Sequence, residues 1–246
     1  PKWMLLSYHK PAYASSSRSG FDPQNAFDES IKSAWSATGG NSGEWLSVDL
    51  GKEYDVEAVQ VNFADCLTKK KRAQMKEYGG TFTQERYIEE ELVRYEYRIE
   101  YSSNGTDWIP YGEIQNTFFP HKLIPCRAKA RYIRAVFARA PYGQNFSISG
   151  LRVFGLDNNK KPSAVSGEKA ERTSATEAKL SWNSQNDAMG YCIRLGIAPD
   201  KLYNSILLYG QNDYTVTFLN KETEKYYFAV DSFNESGITK GSINDF

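Results

Sequence analysis

Hydrophobic and polar residues alternate along most of this chain, and a period of two predicts β-strands. In EWLSVDLG (44–51) three aliphatic residues occupy every second position, so they share one face and predict a core-facing side. EAVQVNF, YEYRIEY, RYIRAVF and SISGLRVFG have the same character, and SNG supplies a hairpin turn because Asn and Gly tolerate positive φ. Segments with helical spacing are scarce. The sequence therefore predicts an all-β protein.

The alternation stops between Ala64 and Leu92, where a basic run, a Gly pair and an acidic run follow one another. A loop of this length inside a compact domain is usually functional or mobile. Its charge runs favour a solvated insertion over residues 65–91, with room for one short helix, rather than a lid over a ligand. The basic run is too isolated to predict a nucleic-acid site.

The length of 246 residues suits two β domains. The polar, charged segment LDNNKKP ends in a proline and is typical of a linker. Five further strand-like segments follow at the spacing of a small sandwich: EAKLSWN, MGYCIRLGI, SILLYG, DYTVTFL and KYYFAVDSF. We therefore expect a first domain over 1–156, a linker over 157–162 and a second domain over 163–246.

Overall charge gives no polyelectrolyte partner to this chain. Lys plus Arg and Asp plus Glu number 30 each, so no long-range field steers the protein toward nucleic acid. No apolar run approaches the ~18 residues of a membrane span, so membrane insertion is not expected. The three cysteines show no CxxC spacing, and at most one pair could bridge. The chain starts abruptly at Pro1, as a fragment of a longer protein would, and any export signal would lie upstream.

Residues 12–155 resemble the discoidin family, also called coagulation factor five/eight type C, which includes the family 32 carbohydrate-binding modules. The matching pieces occur in family order: ASSS, NAFDESIKSAW, GEWLSVDLG, YRIEYSSNGTDW, ARYIR and ISGLRVFG. The resemblance implies an eight-stranded jelly-roll sandwich whose ligands bind at loops on one end.

Residues 161–246 resemble a fibronectin type III module, which implies a seven-stranded sandwich. Trp182 falls on its second strand and Tyr191 on its third, and Tyr226 falls at the tyrosine corner. The Thr usual two positions before that Tyr is Glu224 here, and the preceding loop is one residue longer.

The tandem as a whole is similar to the C-terminal ancillary region of certain bacterial family 43 glycoside hydrolases. WMLLSYHKPAYASSS and IAPDKLYNSILLYG carry this resemblance. It implies an upstream catalytic β-propeller as a partner on the same polypeptide. It also implies export to the periplasm, the cell surface or the extracellular space.

Catalysis is not expected within these residues. Glycoside hydrolysis needs two carboxylates about 5 to 10 Å apart, one of them with a raised pKa. The acidic pairs of this chain lie in polar turns or charge runs, where ordinary solvation is expected. GxSxG, HExxH, GxGxxG and P-loop motifs do not occur.

The loop NAFDESIKSAW often holds a structural calcium ion in the discoidin family. By resemblance, Asp28 matches the carboxylate ligand and Ser33 the hydroxyl ligand. Glu29 replaces a common Gly, Ser30 a common Asp, and Gly150 stands where many members supply a Glu. The alternative is that Asp28 caps turn N–H groups as an Asx motif, and both interpretations stay open.

Sugar binding needs a flat apolar face flanked by hydrogen-bonding side chains. The loop ARAPYGQNF (138–146) has this composition, and the family binds ligands at this end of the sandwich. The predicted carbohydrate contacts are Arg139, Tyr142, Asn145 and Phe146, with Arg18 and Phe21 from the first loop. Tyr78 or Phe82 of the insertion could add to them, whereas Trp35, Trp45 and Trp108 are assigned to packing because aromatic residues dominate cores.

Three functions compete. The leading hypothesis is a non-catalytic module that binds a plant or host glycan, followed by a spacer domain. The alternative is a structural domain pair that docks on the parent catalytic domain, with the insertion as its docking surface, and binds no sugar. A lipid-binding discoidin domain is the third, and the even charge argues against it.

Overall fold

A computed structural model describes residues 3–64, 76–78, 86–88, 94–117, 119, 121–221, 223 and 225–246. These residues contain eighteen strands and two 3₁₀ turns, at Pro23–Ala26 and Pro141–Gly143. The strands are β1 (Met4–Leu5), β2 (Ala12–Ala14), β3 (Trp35–Ser36), β4 (Trp45–Phe63), β5 (Lys76–Tyr78), β6 (Arg86–Ile88), β7 (Tyr95–Ser102), β8 (Ile109–Thr117), β9 (His121–Arg139), β10 (Ser147–Leu156), β11 (Lys169–Arg172), β12 (Ala178–Ser181), β13 (Gly190–Gly196), β14 (Asn204–Tyr209), β15 (Asp213–Val216), β16 (Tyr227–Asn234), β17 (Gly237–Thr239) and β18 (Asn244–Asp245). The all-β prediction is confirmed for the described residues. They include no helix with the length and apolar character that a membrane crossing requires.

The chain forms two compact units. One comprises residues 5–155, and the other comprises 156–246 together with residues 1–4. The sequence prediction put residues 1–4 in the first domain and made 157–162 a linker. In the structure, the segment after β10 lies with the second unit, where the Asp157 N–H donates to the Glu235 carbonyl over 2.9 Å.

The sheet of the first unit has the order β1-β10-β4-β9-β7-β8, with β2 paired to β4 and β3 paired to β10. The two central strands are 19 residues long and antiparallel. The sequence suggested separate strands at EWLSVDLG and EAVQVNF, but they are two parts of β4. A register irregularity between Asp49 and Tyr54 joins them, where Gly51 takes a φ of 90° that favours glycine.

The inward-facing side chains of these strands form the hydrophobic core of the first unit. Leu46, Val48 and Leu50 are fully buried, as their alternation predicted. Trp35 is also fully buried and stacks near Phe137, with 5.9 Å between ring centroids, so its assignment to packing is confirmed. On the outer face Trp108 is half-buried, and the Arg134 guanidinium lies 4.1 Å from its ring centroid.

The predicted hairpin joins β7 to β8. The Ser102 hydroxyl accepts the Gly105 N–H over 2.9 Å, and Gly105 has a φ of 78°. Asn104 Oδ1 accepts the N–H groups of Thr106 and Asp107, each over 2.9 Å. The turn therefore satisfies its own backbone donors, which is the reason for Asn and Gly at these positions.

The second unit contains two sheets, β11-β12-β15 and β14-β13-β16-β17, with β18 paired to β16. All five strand-like segments of the sequence prediction form strands here. The core includes Trp182 and Tyr191, whose rings meet edge to face at 5.3 Å. Tyr226 is buried, and its hydroxyl accepts the Asn220 N–H over 2.7 Å.

Several sequence features fall outside the described residues. In the insertion, only the backbones of β5 and β6 are described, and they pair antiparallel. The helix expected there, the side chains of Tyr78 and Phe82, and Cys66 are outside the description. Of the described cysteines, Cys126 and Cys192 are free thiols, and burial raises the pKa of Cys126 to about 12.

Candidate functional site

Three loops that are far apart in the chain meet at one end of the first unit. Residues 15–21, 37–44 and 138–146 form what we call the loop cluster. The Ala37 N–H donates to the Phe146 carbonyl over 2.8 Å, and the Phe146 N–H donates to the Gly39 carbonyl over 3.3 Å. The Thr38 N–H donates to Ser16 Oγ over 3.1 Å. Each loop is thus tied to another by hydrogen bonds, which fixes their relative positions.

Gly40 marks the tightest approach between two of these loops. A Cβ built on Gly40 would lie 2.3 Å from the Gln144 carbonyl oxygen and 2.9 Å from that of Gly143. No real Cβ occupies such a position, so only glycine lets the two backbones pack this closely. The neighbouring Gly39 has no comparable restriction, because its nearest contact would be a side-chain atom at 3.5 Å.

Polar contacts, some part-buried and some exposed, connect the first loop to Trp35 and Glu44. Trp35 Nε1 donates to the Ser16 carbonyl over 3.0 Å and to Ser17 Oγ over 3.2 Å. The Glu44 carboxylate accepts the hydroxyls of Ser15 and Ser16. The ASSS segment of the sequence therefore works as a set of hydrogen-bonding groups that fasten the first loop to the sandwich.

Asn145 has a positioning role in the third loop. Its Nδ2 donates to the carbonyls of Ala37 and Thr38, over 2.9 and 3.1 Å. The side chain is half-buried, and its Oδ1 has no hydrogen-bond partner among the described residues. The Asn145 amide N–H groups thus bind the neighbouring loop, and its Oδ1 can accept a hydrogen bond from a ligand.

Arg18 and Phe21 form one compact unit on the first loop. The Arg18 guanidinium carbon lies 3.9 Å from the centroid of the Phe21 ring, which is cation–π geometry. The Arg18 N–H donates to the Ser36 carbonyl over 2.8 Å, and the Phe21 N–H donates to the Arg18 carbonyl over 2.9 Å. Both side chains are half-buried, so each keeps accessible surface.

Arg139 is the most exposed charged residue predicted for the site. Its side chain is 64% exposed, and its guanidinium lies 3.9 Å from the Glu96 carboxylate. An exposed ion pair of this length contributes little to stability, so the guanidinium can turn toward a ligand at small cost. The structure thus leaves Arg139 available as a hydrogen-bond donor at the edge of the loop cluster.

The prediction for Phe146 is wrong. Phe146 is fully buried and stacks on Phe137 at 4.7 Å, so its ring packs in the core and cannot meet a ligand. Tyr142 lies in the second 3₁₀ turn, and the structure describes its backbone but not its side chain. The prediction that Tyr142 contacts a sugar therefore stays a prediction.

Gln144 is a residue of the loop cluster to which the sequence analysis gave no role. It is 7% exposed, its Nε2 donates to the Tyr95 hydroxyl over 3.3 Å, and its Oε1 is buried without a partner among the described residues. The Tyr97 hydroxyl is likewise buried and has no partner in the part of the chain that the structure describes, and burial raises the pKa of Tyr97. Only the position of Gln144 in a polar loop could have drawn attention to it.

A small recess opens beside the loop cluster. It has a volume of about 170 Å³ and is lined by Ser42, Gly43, Tyr97, Arg98, Ile114, Val136, Phe137 and Ala138. Small-molecule pockets usually measure ~300–1,000 Å³, so this recess suits one small ring at most.

The loop NAFDESIKSAW directly precedes the second loop of the cluster in the chain, and hydrogen bonds join residues within it. Asp28 Oδ1 accepts the Ser30 N–H over 2.9 Å, and Asp28 Oδ2 accepts the Ser33 hydroxyl over 2.6 Å. This is the Asx-type alternative of the sequence analysis. Calcium takes 6–8 oxygen ligands, largely anionic or carbonyl, and here the adjacent strand supplies Arg152 rather than an acid. The donor set therefore fits calcium poorly, and in the described residues no three His, Cys, Asp or Glu side chains group as a metal site.

A comparison with protein families adds a decisive observation. Residues 25–135 match the family model of the F5/F8 type C group described as "NedA-like, galactose-binding domain". These residues of the first unit are similar to a discoidin-type domain, and we call the first unit by that name. The match covers a little under half of the chain and includes the loop NAFDESIKSAW, the strand β4 and most of β9. No curated protein sequence matches the chain significantly.

Solved structures similar to the discoidin-type domain include several carbohydrate-binding modules. Chitosan-binding module 1 of a Paenibacillus sp. IK-5 chitosanase/glucanase is 22% identical, with 62% of this chain and 99% of that chain covered and a TM-score of 0.47. A Streptococcus pneumoniae fucose binding module is 16% identical, with coverages of 62% and 95% and a TM-score of 0.43. The Clostridium perfringens module CpGH89CBM32-4, in complex with glcNAc-alpha-1,4-galactose, is 15% identical, with coverages of 62% and 94% and a TM-score of 0.43. At these values the likeness transfers no ligand and no residue role.

Proposed function

We propose that the discoidin-type domain is a non-catalytic carbohydrate-binding module whose glycan site is the loop cluster. One observation carries the proposal: the first unit, of which residues 25–135 match a family described as galactose-binding, has three loops that hydrogen bonds tie together at one end. A preorganised surface of this kind loses little freedom when it binds a ligand, which favours affinity for small polar molecules.

Two of the three loops, 15–21 and 138–146, carry the side chains that would contact the sugar. Phe21 offers a ring edge and face for sugar C–H groups, and Arg18, stacked on it, offers donors to sugar hydroxyls. Arg139 supplies an exposed guanidinium on the loop 138–146. Asn145 supplies an acceptor while its amide group holds the loops in register. Together these groups can position donors, an acceptor and an apolar surface around one sugar ring.

We further propose that the second unit is a fibronectin type III spacer. Its Trp182–Tyr191 contact and the bond between the Tyr226 hydroxyl and the Asn220 N–H are in keeping with that family. The resemblance of the tandem favours a place in the C-terminal part of an exported bacterial glycoside hydrolase, with a catalytic domain upstream. The alternative, a pair that docks on that domain and binds no sugar, rests on the insertion at 65–91, which is mostly outside the described residues.

Calorimetric titration with a panel of plant and host glycans, including galactosides, tests the proposed function. We expect at least one glycan to release heat, and we expect Arg139→Ala and Tyr142→Ala to weaken that binding at least about tenfold, since each removes ~1.4 kcal/mol or more of contact. Arg127→Ala is the matched control, because Arg127 is 88% exposed, twelve positions before Arg139 on β9, and its ion pair among the described residues is with Glu57, over 3.4 Å.

The proposal fails if no glycan of the panel releases heat. It also fails if both loop variants bind as tightly as the unchanged protein. Affinity that falls equally in the Arg127→Ala control would show a general charge effect and would remove the loop cluster from consideration.

A further inference from the structure

The loop after the first 3₁₀ turn is fastened to β10 by an ion pair. Arg152 Nε donates to Glu29 Oε1 over 2.9 Å, and Arg152 Nη2 donates to Glu29 Oε2 over 2.7 Å. The two side chains are 31% and 26% exposed, so the pair is partly withdrawn from solvent. A bidentate arginine–carboxylate pair of this kind is stronger and more directional than a single contact. It joins residues 123 positions apart in the chain.

Other groups hold the guanidinium in place. Arg152 Nη1 donates to Gln60 Oε1 over 3.3 Å, and the guanidinium carbon lies 5.1 Å from the centroid of the Phe154 ring. Gln60 in turn donates from Nε2 to Asn62 Oδ1 over 2.9 Å. Because its neighbours on β4 and β10 restrain it, Arg152 offers the loop a fixed positive charge rather than a mobile one.

Glu29 occupies a conformation that its residue type rarely adopts. Its φ is 59°, in the left-handed region, where a side chain with a Cβ is strained and glycine is preferred. A glutamate at such a position costs backbone energy that a glycine would not. The contact that glutamate makes and glycine cannot make is the bidentate pair with Arg152.

The described residues of β4 and β10 that face the loop across a small recess include no acidic side chain. A Cβ on Gly150 would lie 3.0 Å from Asn62 Nδ2, so a longer side chain there must displace that amide. The remaining recess of about 170 Å³ is lined by Glu29, Ser30, Ile31, Asn62, Ser149, Gly150 and Arg152. Among the described residues that line this recess, the charged groups are the Glu29 carboxylate and the Arg152 guanidinium, while the Asp28 carboxylate accepts hydrogen bonds within its own loop.

We propose that Arg152 serves as the cation for this loop, so that residues 27–35 are fastened to β10 without a bound metal ion. A divalent cation placed near Glu29 would meet the positive charge of Arg152 at short range, and the carboxylate cannot satisfy both. The loop 27–35 therefore does not depend on calcium. This inference concerns the assembly of the loop, and it holds whether or not the loop cluster binds a glycan.

Thermal unfolding of the whole protein in calcium chloride and in EDTA tests the inference. The unchanged protein should give the same Tm in both, within about 1 °C, because no metal site is filled. Arg152→Gln and Glu29→Gln should each lower the Tm of the discoidin-type domain by about 2–4 °C. Since either change already breaks the pair, the double variant should lose no more than the larger single loss.

Hydrogen exchange localises the effect. Amides of residues 27–35 should exchange faster in Arg152→Gln than in the unchanged protein. They should be unchanged in the control Arg127→Gln, which removes an exposed ion pair between Arg127 on β9 and Glu57 on β4. Calcium that raises the Tm of the unchanged protein by several degrees, reversed by EDTA, overturns the inference. Strictly additive losses in the double variant also overturn it, because the two residues would then act separately.

Discussion

Asp231 is a buried carboxylate whose charge is fully compensated. It is 1% exposed and accepts two hydrogen bonds from Arg194, over 2.8 and 2.9 Å, and one each from Lys240 and the Gly241 N–H. Burial alone would raise the pKa of Asp231, but the hydrogen bonds from Arg194, Lys240 and Gly241 outweigh burial and lower it. The folded second unit therefore stabilises the ionised form.

Asp231→Asn should lower the free energy of unfolding of the second unit by about 3 kcal/mol near neutral pH, because it leaves Arg194 without its counter-charge. The folded-state pKa is depressed, so the contribution is complete above the unfolded-state value of about 3.9. It disappears as the pH falls through the lower folded-state pKa. Denaturant unfolding of both proteins between about pH 2.5 and 7 should show the difference shrinking in acid. Asp213→Asn is the control, since its pair with Lys179 is half exposed, and a similar loss there would contradict the prediction.

Single residues of the candidate site were only partly predictable from the sequence. The fully buried Trp35 was assigned correctly, because a tryptophan beside a strand usually packs. Phe146 was assigned wrongly, although its spacing of two from the buried Ile148 was a signal that it faces the core. The pairing of Arg152 with Glu29 was beyond sequence reasoning, since nothing local relates residues 123 positions apart.

At the scale of elements, the close approach of two loops determines the shape of the loop cluster. Gly40→Ala should separate the loops 37–44 and 138–146, because its Cβ would stand 2.3 Å from the Gln144 carbonyl oxygen. We expect a Tm loss of about 2–6 °C in the discoidin-type domain, together with weaker binding of any glycan found by titration. Gly39→Ala is the matched control, since its Cβ would meet only a side chain at 3.5 Å.

Thermal unfolding and calorimetric titration of the two alanine variants measure these effects. A stable Gly40→Ala protein with unchanged binding would show that the two loops do not depend on their close packing. An equal loss of Tm in Gly39→Ala would contradict the prediction, because the effect would then not depend on the close contact at Gly40.

Strands were more predictable than their connections. Alternation found the strands on both sides of Gly51, because side-chain burial on one face leaves a pattern in the sequence. It could not show that they form one strand, since that depends on the partner β9, whose register changes between Asp49 and Tyr54. The first half of β9, with exposed residues such as Leu123 and Pro125, carries too weak an alternation to be recognised.

At the scale of the whole molecule, each unit has a hydrophobic core of its own. We therefore expect calorimetry to resolve two unfolding transitions. Ile99→Ala removes a fully buried side chain from the first core and Ile193→Ala removes one from the second. Each should cost about 2–5 kcal/mol and lower only the transition of its own unit. One shared transition that both variants shift equally would contradict this expectation.

The presence of two β units was predictable because hydrophobic alternation resumes after a polar, proline-ended segment. The exact division was less so: residues 157–162 group with the second unit, and their few polar and apolar residues carry no periodic signal. Composition likewise could not locate the loop cluster, because its three segments become neighbours only in the folded sandwich.

The long pairing of β4 with β9 also bears on how the first unit folds. Their partners lie 59 positions apart at Asn62 and His121 and 91 apart at Trp45 and Val136. Contacts this distant in sequence are typical of slow-folding topologies, although lengthening the intervening segment adds only about 0.6 kcal/mol of closure entropy per doubling. The insertion can therefore persist at small thermodynamic cost. During synthesis the sandwich cannot close until β9 has left the ribosome, so the loop cluster, whose third loop follows β9, is among the last parts to assemble.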